Sequence, residues 1–384
     1  MSISKKILNR INTAYTKVIS TVVRKLYQRN NLVLLKRHPL KRAEGEDAYI
    51  QKWKPFGRKP HLAAYRLFSQ YIGPVAEIVP EDISASIIQP LLNPVKYRPF
   101  YQDKNSFEKI LPASYLPKAI FRMICGAYLT CDYKPIDKLS DDLIDELTKG
   151  TDNLFIKPSR DSSSGHGVLK FSRNKNGILW CASEYKPFSL EFLSEYGRAN
   201  PNFIVQSALT QSDYISQFNP SSINTLRVTT YKSVVDNRAH VCSIILRIGK
   251  QGSSVDNAHA GGLFVGVGMD GTIGKYACDQ YGNIYDSFNG IDFKKGNYQI
   301  PDFQKVIKFA ENVGDSILHH RLVAQDICIQ ANGEPRLVEF NISAFSVWLF
   351  QFTSGSALGK YTDEIIEYCS AHKNEVKKVF VEAF

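Results

Sequence analysis

The chain has 384 residues, 43% of them hydrophobic and 12% aromatic, which is enough for globular folding in two or three packed units. Its seven cysteines are scattered and lack any CxxC spacing, which favours a reducing compartment and argues against a zinc site. No apolar run approaches the roughly 20 residues that span a bilayer, and the N-terminus lacks the apolar core of a signal peptide. We therefore expect a cytoplasmic protein.

The net charge of +11 is confined to residues 1–43, which contain eleven Lys and Arg and no acid. The rest of the chain carries 37 basic and 37 acidic side chains and is formally neutral. This distribution argues against a nucleic-acid-binding surface on the body of the protein. The basic arm itself offers only Tyr15 and Tyr27 for base stacking, so we expect no nucleic-acid partner.

Apolar residues recur at helical spacing within this arm and predict an amphipathic basic helix over residues 3–28. They are Ile3, Ile7, Leu8, Ile11, Tyr15, Val18, Ile19, Val22, Val23 and Leu26. Such a helix can lie on an anionic membrane, where each basic residue contributes about 1 kcal/mol. It can equally pack its apolar stripe on the body of the protein and leave its Lys and Arg in water. Both interpretations remain open from the sequence.

The elements that follow indicate an α+β protein. Prolines and aromatic residues in 44–100 predict a region of short helices, and a second region with both strands and helices is expected over 101–384. Within that region we expect a helix start in DKNSFEKIL, one strand in LPKAIFRMICGAYL and a helix in KLSDDLIDELTKG. Strands are expected at 154–157, 167–172, 178–183 and 203–209, with a helix in SLEFLSEYG. The pattern then predicts a strand-rich region over 223–285, a helix in DFQKVIKFAENVGDSILHH, a hairpin, and a final helix from about Tyr361. The strands should be mostly antiparallel, with helices on one side.

The hairpin reads LVAQDICIQANGEPRLVEFNIS over residues 322–343. Asn332-Gly333 is typical of a two-residue type I′ turn, and counting outward from it places Asp326 opposite Glu339. Asn341 then shares a face with Glu339. Like charges about 5 Å apart repel each other, whereas two carboxylates and an amide oxygen suit Mg²⁺. The alternative is an exposed sheet face on which both acids are solvated.

A second informative segment is LFIKPSRDSSSGHGVLKFS, in which a strand ending at Lys157 leads into a loop of small residues. Backbone N–H groups of such a loop can approach phosphate oxygens closely. The segment matches neither a Walker A loop nor GxGxxG, and an ordinary hairpin turn is the alternative. Its position upstream of the Asp326–Glu339 hairpin favours a phosphate site.

This order of motifs resembles the ATP-grasp fold, and the chain is similar to the sugar-transfer-associated ATP-grasp proteins, a bacterial family linked to surface-polysaccharide synthesis. The segments that carry the resemblance are LLNPVKYRPFYQDKNSFEKIL, LPKAIFRMICGAYL, FIKPSRDSSSGHGV, FIVQSALTQ, NPSSINTLRVTTY, ILRIGKQGSSVDNAHAGGLFVGV and QDICIQANGEPRLVEFN. The resemblance implies an α+β fold in which two subdomains grip ATP, a hinge strand near 203–209, an N-terminal helical and basic extension, and ATP and Mg²⁺ as cofactors.

The resemblance also implies roles for individual residues. Lys157 and Lys104 would hold ATP phosphates, with Arg122 as an alternative to Lys104. The mobile loop over the triphosphate would run from Ser162 to Gly167 and include Ser163, Ser164 and Gly165, although His166 stands where small or basic residues are usual. Gln206 and Ala208 match the strand that meets the adenine.

On the reacting side, Arg227 and Arg247 would neutralise the transferred phosphoryl group, and a structural salt bridge is the alternative for Arg247. Substrate-side elements would be Asn224, Asn257, Gly261 and Gly262. The Mg²⁺ ligands would be Asp326, Glu339 and Asn341, so that a cation bridges the two opposed acids.

The chemistry implied is that of a carboxylate–amine ligase acting through an acylphosphate, attaching an amino acid or similar group to a saccharide or polysaccharide precursor. The expected partners are therefore a nucleotide and a glycan-related or amino-acid substrate. Alternatives are a kinase that phosphorylates a sugar hydroxyl, or a non-catalytic nucleotide-binding partner of a glycan assembly complex. The absence of a GxSxG motif and of a convincing Cys/His pair argues against covalent catalysis by a protein nucleophile.

Overall fold

The computed structural model describes residues 3–160, 166–253, 256–343 and 345–376, with side chains from Arg10 onward except that of Asn12. The helices are α1 (Ile3–Arg37), α2 (Glu46–Trp53), α3 (Leu62–Ile72), α4 (Glu81–Ile83), α5 (Gln89–Leu92), α6 (Arg98–Tyr101), α7 (Phe107–Ile110), α8 (Asp141–Leu147), α9 (Leu190–Ala199), α10 (Asp213–Ser216), α11 (Gln304–Ser316), α12 (Val347–Gln351) and α13 (Thr362–His372). No helix in this part of the chain is long and apolar enough to span a bilayer.

All strand pairings among the described residues are antiparallel, and the strands form two large sheets and one small sheet of Ser287–Phe288 and Ile291–Asp292. They are β1 (Ala119–Ile124), β2 (Ala127–Thr130), β3 (Asn153–Pro158), β4 (Leu169–Arg173), β5 (Leu179–Cys181), β6 (Lys186–Pro187), β7 (Phe203–Ser207), β8 (Leu226–Lys232), β9 (Ala239–Ile248), β10 (Leu263–Val267), β11 (Ile273–Cys278), β12 (Ile284–Tyr285), β13 (Ser287–Phe288), β14 (Ile291–Asp292), β15 (Leu322–Ile329) and β16 (Pro335–Asn341). The first sheet has the order β2-β1-β7-β3-β4-β5-β6 and the second the order β12-β11-β10-β9-β8-β15-β16. The predicted α+β class is confirmed.

The first sheet buries one face under two helices. Phe171 and Phe203 of this sheet pack with Ile144 of α8 and with Phe192 and Leu193 of α9. The segment LPKAIFRMICGAYL, predicted as one strand, forms the hairpin β1–β2 instead. Cys125 and Gly126 turn the chain with φ of 51° and 82°. No usual turn signal marks Cys125, because Cys seldom occupies a position of positive φ.

The second sheet is buried on both faces, which corrects the expectation of helices on one side. Alternate residues of β9 point in opposite directions. Ile244 and Leu246 pack in the core that includes α11. Ile245, between them, packs in a second core with Trp53 and Phe68 of the N-terminal helices. Strands covered on both faces read as continuous apolar runs, and this explains the run Ile244, Ile245 and Leu246 in β9.

The hairpin β15–β16 confirms that Asp326 lies opposite Glu339. The turn that joins the two strands, however, is not the predicted two-residue turn. Gly333 N–H donates to the carbonyl of Gln330, so Ala331, Asn332 and Gly333 form a three-residue loop in which only the glycine has positive φ, 80°. This loop shifts the register by one residue. An irregularity between Ile327 and Asp326 shifts it back and restores the Asp326–Glu339 pairing.

The N-terminal helix is longer than expected and packs along α3 and α4. It is anchored through a hydrogen bond of 2.8 Å from Gln28 Nε2 to Asp82 Oδ2. Thr16 and Asn31, on the same side of the helix, are almost completely buried. The proposed division of the chain at residues 43 and 100 remains a prediction.

Candidate active site

A cavity of about 1090 Å³ is lined by residues of both large sheets. Phe155, Lys157 and Gln206 line it from the first sheet, and Arg227 and Arg247 from the second. Ligand pockets usually enclose about 300–1,000 Å³, so this cavity has room for a nucleotide beside a second substrate. Most of the residues singled out in the sequence converge here.

The polar wall of the cavity is organised by Asp326 of β15. Its direct partner on the neighbouring strand is Arg227 of β8. Arg227 donates from Nε to Oδ1 and from Nη2 to Oδ2 of Asp326, both at 2.8 Å, and Arg247 Nη1 reaches the same Oδ2 at 3.1 Å. Burial raises the pKa of Asp326, but the two guanidinium groups outweigh it and hold the pKa below its usual range.

Asp256, which the sequence analysis did not single out, extends this network. Arg247 Nη2 donates to its Oδ1 at 2.8 Å, and both the backbone N–H (2.9 Å) and the hydroxyl of Thr225 donate to its Oδ2. Burial raises the pKa of Asp256, against the opposing effect of Arg247. A signal for Asp256 was available, since β9 and β10 are consecutive and antiparallel. Residues just before β10 must therefore return to the end of β9, where Arg247 lies.

Glu339, the other opposed acid, lies beside two lysines. Lys104 Nζ is 3.7 Å from Glu339 Oε1. The pKa of Lys157 is lowered to about 8, first by burial and second by the charge of Lys104, while Glu339 acts in the opposite direction. The two ammonium groups and one carboxylate leave this part of the wall with excess positive charge.

These contacts change the explanation for the opposed carboxylates. We expected a bridging cation to make the pairing tolerable, but Asp326 is compensated by Arg227 and Arg247, and Glu339 lies near Lys104. The pairing is therefore tolerated without a metal. Among the described residues no group of three or more His, Cys, Asp and Glu could hold an ion. The donor set of Asp326, Glu339 and Asn341 nevertheless consists of oxygens that line one cavity, which suits Mg²⁺ when phosphates and water complete its coordination.

The expected adenine contacts fit the cavity in one respect. Gln206 lies on β7, between β1 and β3 of its sheet, and its Nε2 donates to the Pro117 carbonyl at 3.3 Å. Its Oε1 is buried and has no hydrogen-bond partner among the described residues. A buried acceptor at a cavity wall suits an exocyclic amine such as that of adenine. The N–H of Ala208 already donates to the Asn153 carbonyl at 2.9 Å.

Arg122 does not act as the alternative to Lys104. It is fully buried, and its guanidinium donates to Glu108 and to the carbonyls of Asn105 and Cys131. It also lies 4.0 Å from the ring centre of Tyr133. Arg122 is thus a structural residue of the first sheet and does not line the cavity.

Asn224 is not placed on the substrate side either. It is 1% exposed, and its amide donates to Gln211, to the Ile215 carbonyl and to the Asn219 carbonyl. These bonds fix the loop before β8. Asn224 therefore supports the cavity wall without lining the cavity itself. The sequence alone does not show which polar residues near a motif are buried and which are exposed.

The second group of predicted substrate-side residues is divided. Asn257 lines the cavity, and its Oδ1 accepts the His259 N–H at 3.2 Å. Gly261 and Gly262 do not line it and form the turn into β10. A Cβ on Gly262 would lie 2.8 Å from the Ile248 carbonyl oxygen, so the close approach of backbones requires glycine there.

Ser162, Ser163, Ser164 and Gly165 lie outside the described residues. Gly167, the end of the predicted loop, has φ of 71°, and its carbonyl accepts the Tyr196 hydroxyl at 2.7 Å. The neighbouring His166 is exposed.

Distant similarities to solved structures extend over much of the chain. The D-alanine-D-alanine ligase from Coxiella burnetii matches with 11% identity and a TM-score of 0.41, over 78% of this chain and 68% of that one. The L-amino acid ligase from Bacillus licheniformis matches with 10% identity and a TM-score of 0.37, over 70% and 48%. The ATP-grasp ligase PsnB in complex with a phosphomimetic precursor variant, Mg and ADP matches with 14% identity and a TM-score of 0.37, over 69% and 58%. The chain thus spans only about half to two thirds of these proteins. Similarity at this level transfers neither a substrate nor a reaction.

A search of curated proteins found no significant match. The family model for sugar-transfer-associated ATP-grasp proteins, in contrast, matches residues 85–366. This range contains both large sheets and every cavity residue described above. The chain therefore belongs to the sugar-transfer-associated ATP-grasp family.

Proposed function

We propose that this protein is an ATP- and Mg²⁺-dependent carboxylate–amine ligase that attaches an amino acid or similar group to a saccharide or polysaccharide precursor. One observation carries the proposal. Lys104, Lys157, Arg227 and Arg247 line one cavity together with Asp326, Glu339 and Asn341. Four cations beside three oxygen ligands form a wall suited to a triphosphate and its metal.

We assign each part of Mg²⁺-ATP to a position in the cavity from the residues that line it there. Gln206 supplies the unpartnered acceptor for the base, and the ammonium groups of Lys157 and Lys104 suit the phosphates. Asp326, Glu339 and Asn341 would hold Mg²⁺, which when bound would draw negative charge from the phosphate oxygens. Arg227 and Arg247 would offer their guanidinium groups to the charge that develops on the transferred phosphoryl group.

The reaction requires position and charge neutralisation more than a protein nucleophile. An oxygen of the substrate carboxylate bonds to the γ-phosphorus of ATP while the bond to ADP breaks. The amine then attacks the acyl carbon, phosphate leaves and the amine nitrogen loses a proton. None of the seven cysteines lines the cavity as the described residues outline it, consistent with this scheme.

The ion pairs make Asp256, Asp326 and Glu339 poor acceptors for the proton of an attacking sugar hydroxyl. A kinase needs an acceptor for the proton of the attacking hydroxyl, and a carboxylate is a common choice. Asp256 and Asp326 are both engaged by arginines, and Glu339 lies near Lys104. A carboxylate substrate enters the reaction already ionised and needs no such acceptor at the phosphoryl-transfer step.

The acceptor class and the place of action rest on the family and on the arm. The family is associated with sugar transfer, which supports a saccharide precursor of the kind used for capsule or O-antigen. A lipid-linked or anionic precursor at the inner face of the membrane would suit the basic arm of residues 1–43. The enzyme would then act from the cytoplasm.

The proposal is tested by ADP release from Mg²⁺-ATP in the presence of pooled candidate carboxylates, with and without hydroxylamine. Formation of a hydroxamate traps the activated acid, identifies it and supports the ligase. A stable phosphate ester would overturn the ligase in favour of the kinase. Lys157→Met should abolish turnover, whereas Lys175→Met, an exposed lysine in the turn between β4 and β5, should not. If both variants retain equal activity, the cavity is not the active site.

A further inference from the structure

The apolar stripe of α1 faces away from the rest of the protein. Ile11, Tyr15, Val18, Val22 and Leu26 are 59%, 53%, 60%, 59% and 54% exposed. They recur at intervals of three or four residues and so lie on one face of the helix. Over residues 11–26 this face extends for about 22 Å at about 1.5 Å per residue. The sequence left open whether the stripe packs on the body, and the structure places it in contact with solvent.

The exposure does not come from a detached helix, because the opposite face of α1 is fixed to the body. Thr16 and Asn31 are 2% and 3% exposed. Gln28 donates to Asp82, and Asn31 forms a side-chain hydrogen bond with Glu81. The helix is therefore held in one orientation, with its polar anchors inward and its apolar stripe outward.

Positive charge accompanies the stripe. Lys25 and Arg29 are exposed and follow Val22 by three and seven residues, so they lie on the same face. Residues 1–43 contain eleven Lys and Arg and no acid. A long apolar stripe within such a basic segment is complementary to a surface that is apolar inside and anionic outside.

We propose that this face, formed by Ile11, Tyr15, Val18, Val22, Leu26, Lys25 and Arg29, is a docking surface for an anionic lipid bilayer. The helix lies in the plane of the interface, with its apolar stripe below the headgroups. Lys25 and Arg29 contact the lipid phosphates. A second copy of this chain is a poorer partner, because two basic helices would repel each other and Lys25 and Arg29 interrupt the apolar seam.

The docking surface is independent of the proposed ligase activity, since none of its residues lines the cavity. It would hold the body of the protein at the membrane and so favour substrates that are themselves attached to lipid. Failure of the docking surface would remove the support that the arm gives to a membrane location but would leave the proposed ligase chemistry unaffected, and failure of the ligase chemistry would leave the docking surface unaffected. Nucleotide affinity and vesicle binding therefore report on separate parts of the molecule.

The test uses point variants of the full chain, since removal of residues 1–43 would uncover the groups that Gln28 and Asn31 contact. Val18→Glu combined with Val22→Glu places two acids on the stripe without touching the anchors. Val235→Glu, at an 82% exposed valine between β8 and β9, is the matched control. Co-sedimentation is measured with vesicles of phosphatidylglycerol in phosphatidylcholine and with phosphatidylcholine alone.

We expect the wild type and Val235→Glu to sediment with the anionic vesicles and the double variant to lose at least about tenfold in affinity. Lys25→Glu with Arg29→Glu should also weaken binding, whereas Lys175→Glu should not. Nucleotide affinity unchanged in every variant would show that the fold is intact. Wild type that fails to sediment, or a Val18/Val22 variant that sediments equally, would overturn the proposal. So would a wild-type dimer in analytical ultracentrifugation that the double variant dissociates, because the face would then bind a second copy.

Discussion

Arg227 and Asp326 lie directly opposite each other on neighbouring antiparallel strands and form a two-point ion pair, with both N–O distances 2.8 Å. Arg247 and Asp256 continue this pair into a network of alternating charge. Because the strand register places these groups before any ligand arrives, little reorganisation would be needed for the two guanidinium groups to contact a phosphoryl group as proposed.

The first prediction concerns the stability contributed by this pair. Arg227→Ala should lower the free energy of unfolding by about 3–5 kcal/mol, because it leaves Asp326 buried with only Arg247 as a partner. Arg238→Ala, which removes an exposed arginine from its pair with Asp315, should cost less than about 1 kcal/mol. Chemical denaturation of both variants provides the comparison. Equal losses would mean that the Arg227–Asp326 pair is not buried as described.

The second prediction follows from the pKa of Lys157, which is lowered from 10.5 to about 8. ATP or ADP phosphates favour the protonated ammonium, so nucleotide affinity should fall as the pH rises through about 8. Binding at pH 8 should also take up protons, which calorimetry in buffers of different ionisation enthalpy detects. In the absence of nucleotide the sign is opposite. Between about pH 8 and 10.5 the unfolded chain holds the extra proton, so stability should rise with pH over that window.

Lys157→Met supplies the control for this titration. Its nucleotide affinity should be lower on the order of 10- to 100-fold, from about 1.5–3 kcal/mol for a hydrogen bond to a charged group. The proton uptake at pH 8 should disappear. If proton uptake persists in Lys157→Met, another group titrates and the role given to Lys157 is wrong.

The third prediction tests the base contact of Gln206. Its buried and unpartnered Oε1 should accept a hydrogen bond from the adenine amine, so ADP should bind about tenfold more tightly than IDP, which carries a carbonyl in that position. Gln206→Leu should remove this discrimination and leave IDP affinity nearly unchanged. Calorimetric titration of both nucleotides measures the ratio. A ratio that does not change would place the base elsewhere.

The fourth prediction separates Arg122 from the nucleotide site. Arg122→Lys should reduce stability by about 1–3 kcal/mol, because a single ammonium cannot replace a guanidinium that contacts Glu108 and two carbonyls. ADP affinity of the folded variant should stay within about twofold of wild type. A large loss of ADP affinity in a variant whose fold is intact would show that Arg122 does contribute to phosphate binding.

Local motifs in the sequence identified many residues of the candidate site, but they did not predict the backbone geometry that positions them. The opposition of Asp326 and Glu339 was predicted from Asn332-Gly333, yet the loop has three residues and a later irregularity compensates for it. The pairing is confirmed only because two one-residue shifts cancel. Pro335, which has no N–H to donate to the ladder, is the first residue of β16, the edge strand of its sheet.

Contacts between distant segments could not be predicted in the same way. The partners Arg227 and Asp326 are 99 residues apart, and a one-residue change of register would point them to opposite faces. The amphipathic pattern of α1 was visible, but the pattern alone does not tell which face meets the body. Gln28 and Asn31 contact the body through hydrogen bonds, and Leu34 and Leu35 pack on it near the end of the helix, whereas the apolar stripe of residues 11–26 stays exposed.

Activation of a carboxylate by phosphoryl transfer can be followed with an acid whose carboxyl group carries heavy oxygen. Once an acid is identified, the enzyme is given Mg²⁺-ATP and the amine, and the released phosphate is analysed by mass spectrometry. If the carboxylate is phosphorylated, each phosphate carries one labelled oxygen and the amide keeps the other. Unlabelled phosphate formed together with the amide would show that no acylphosphate forms.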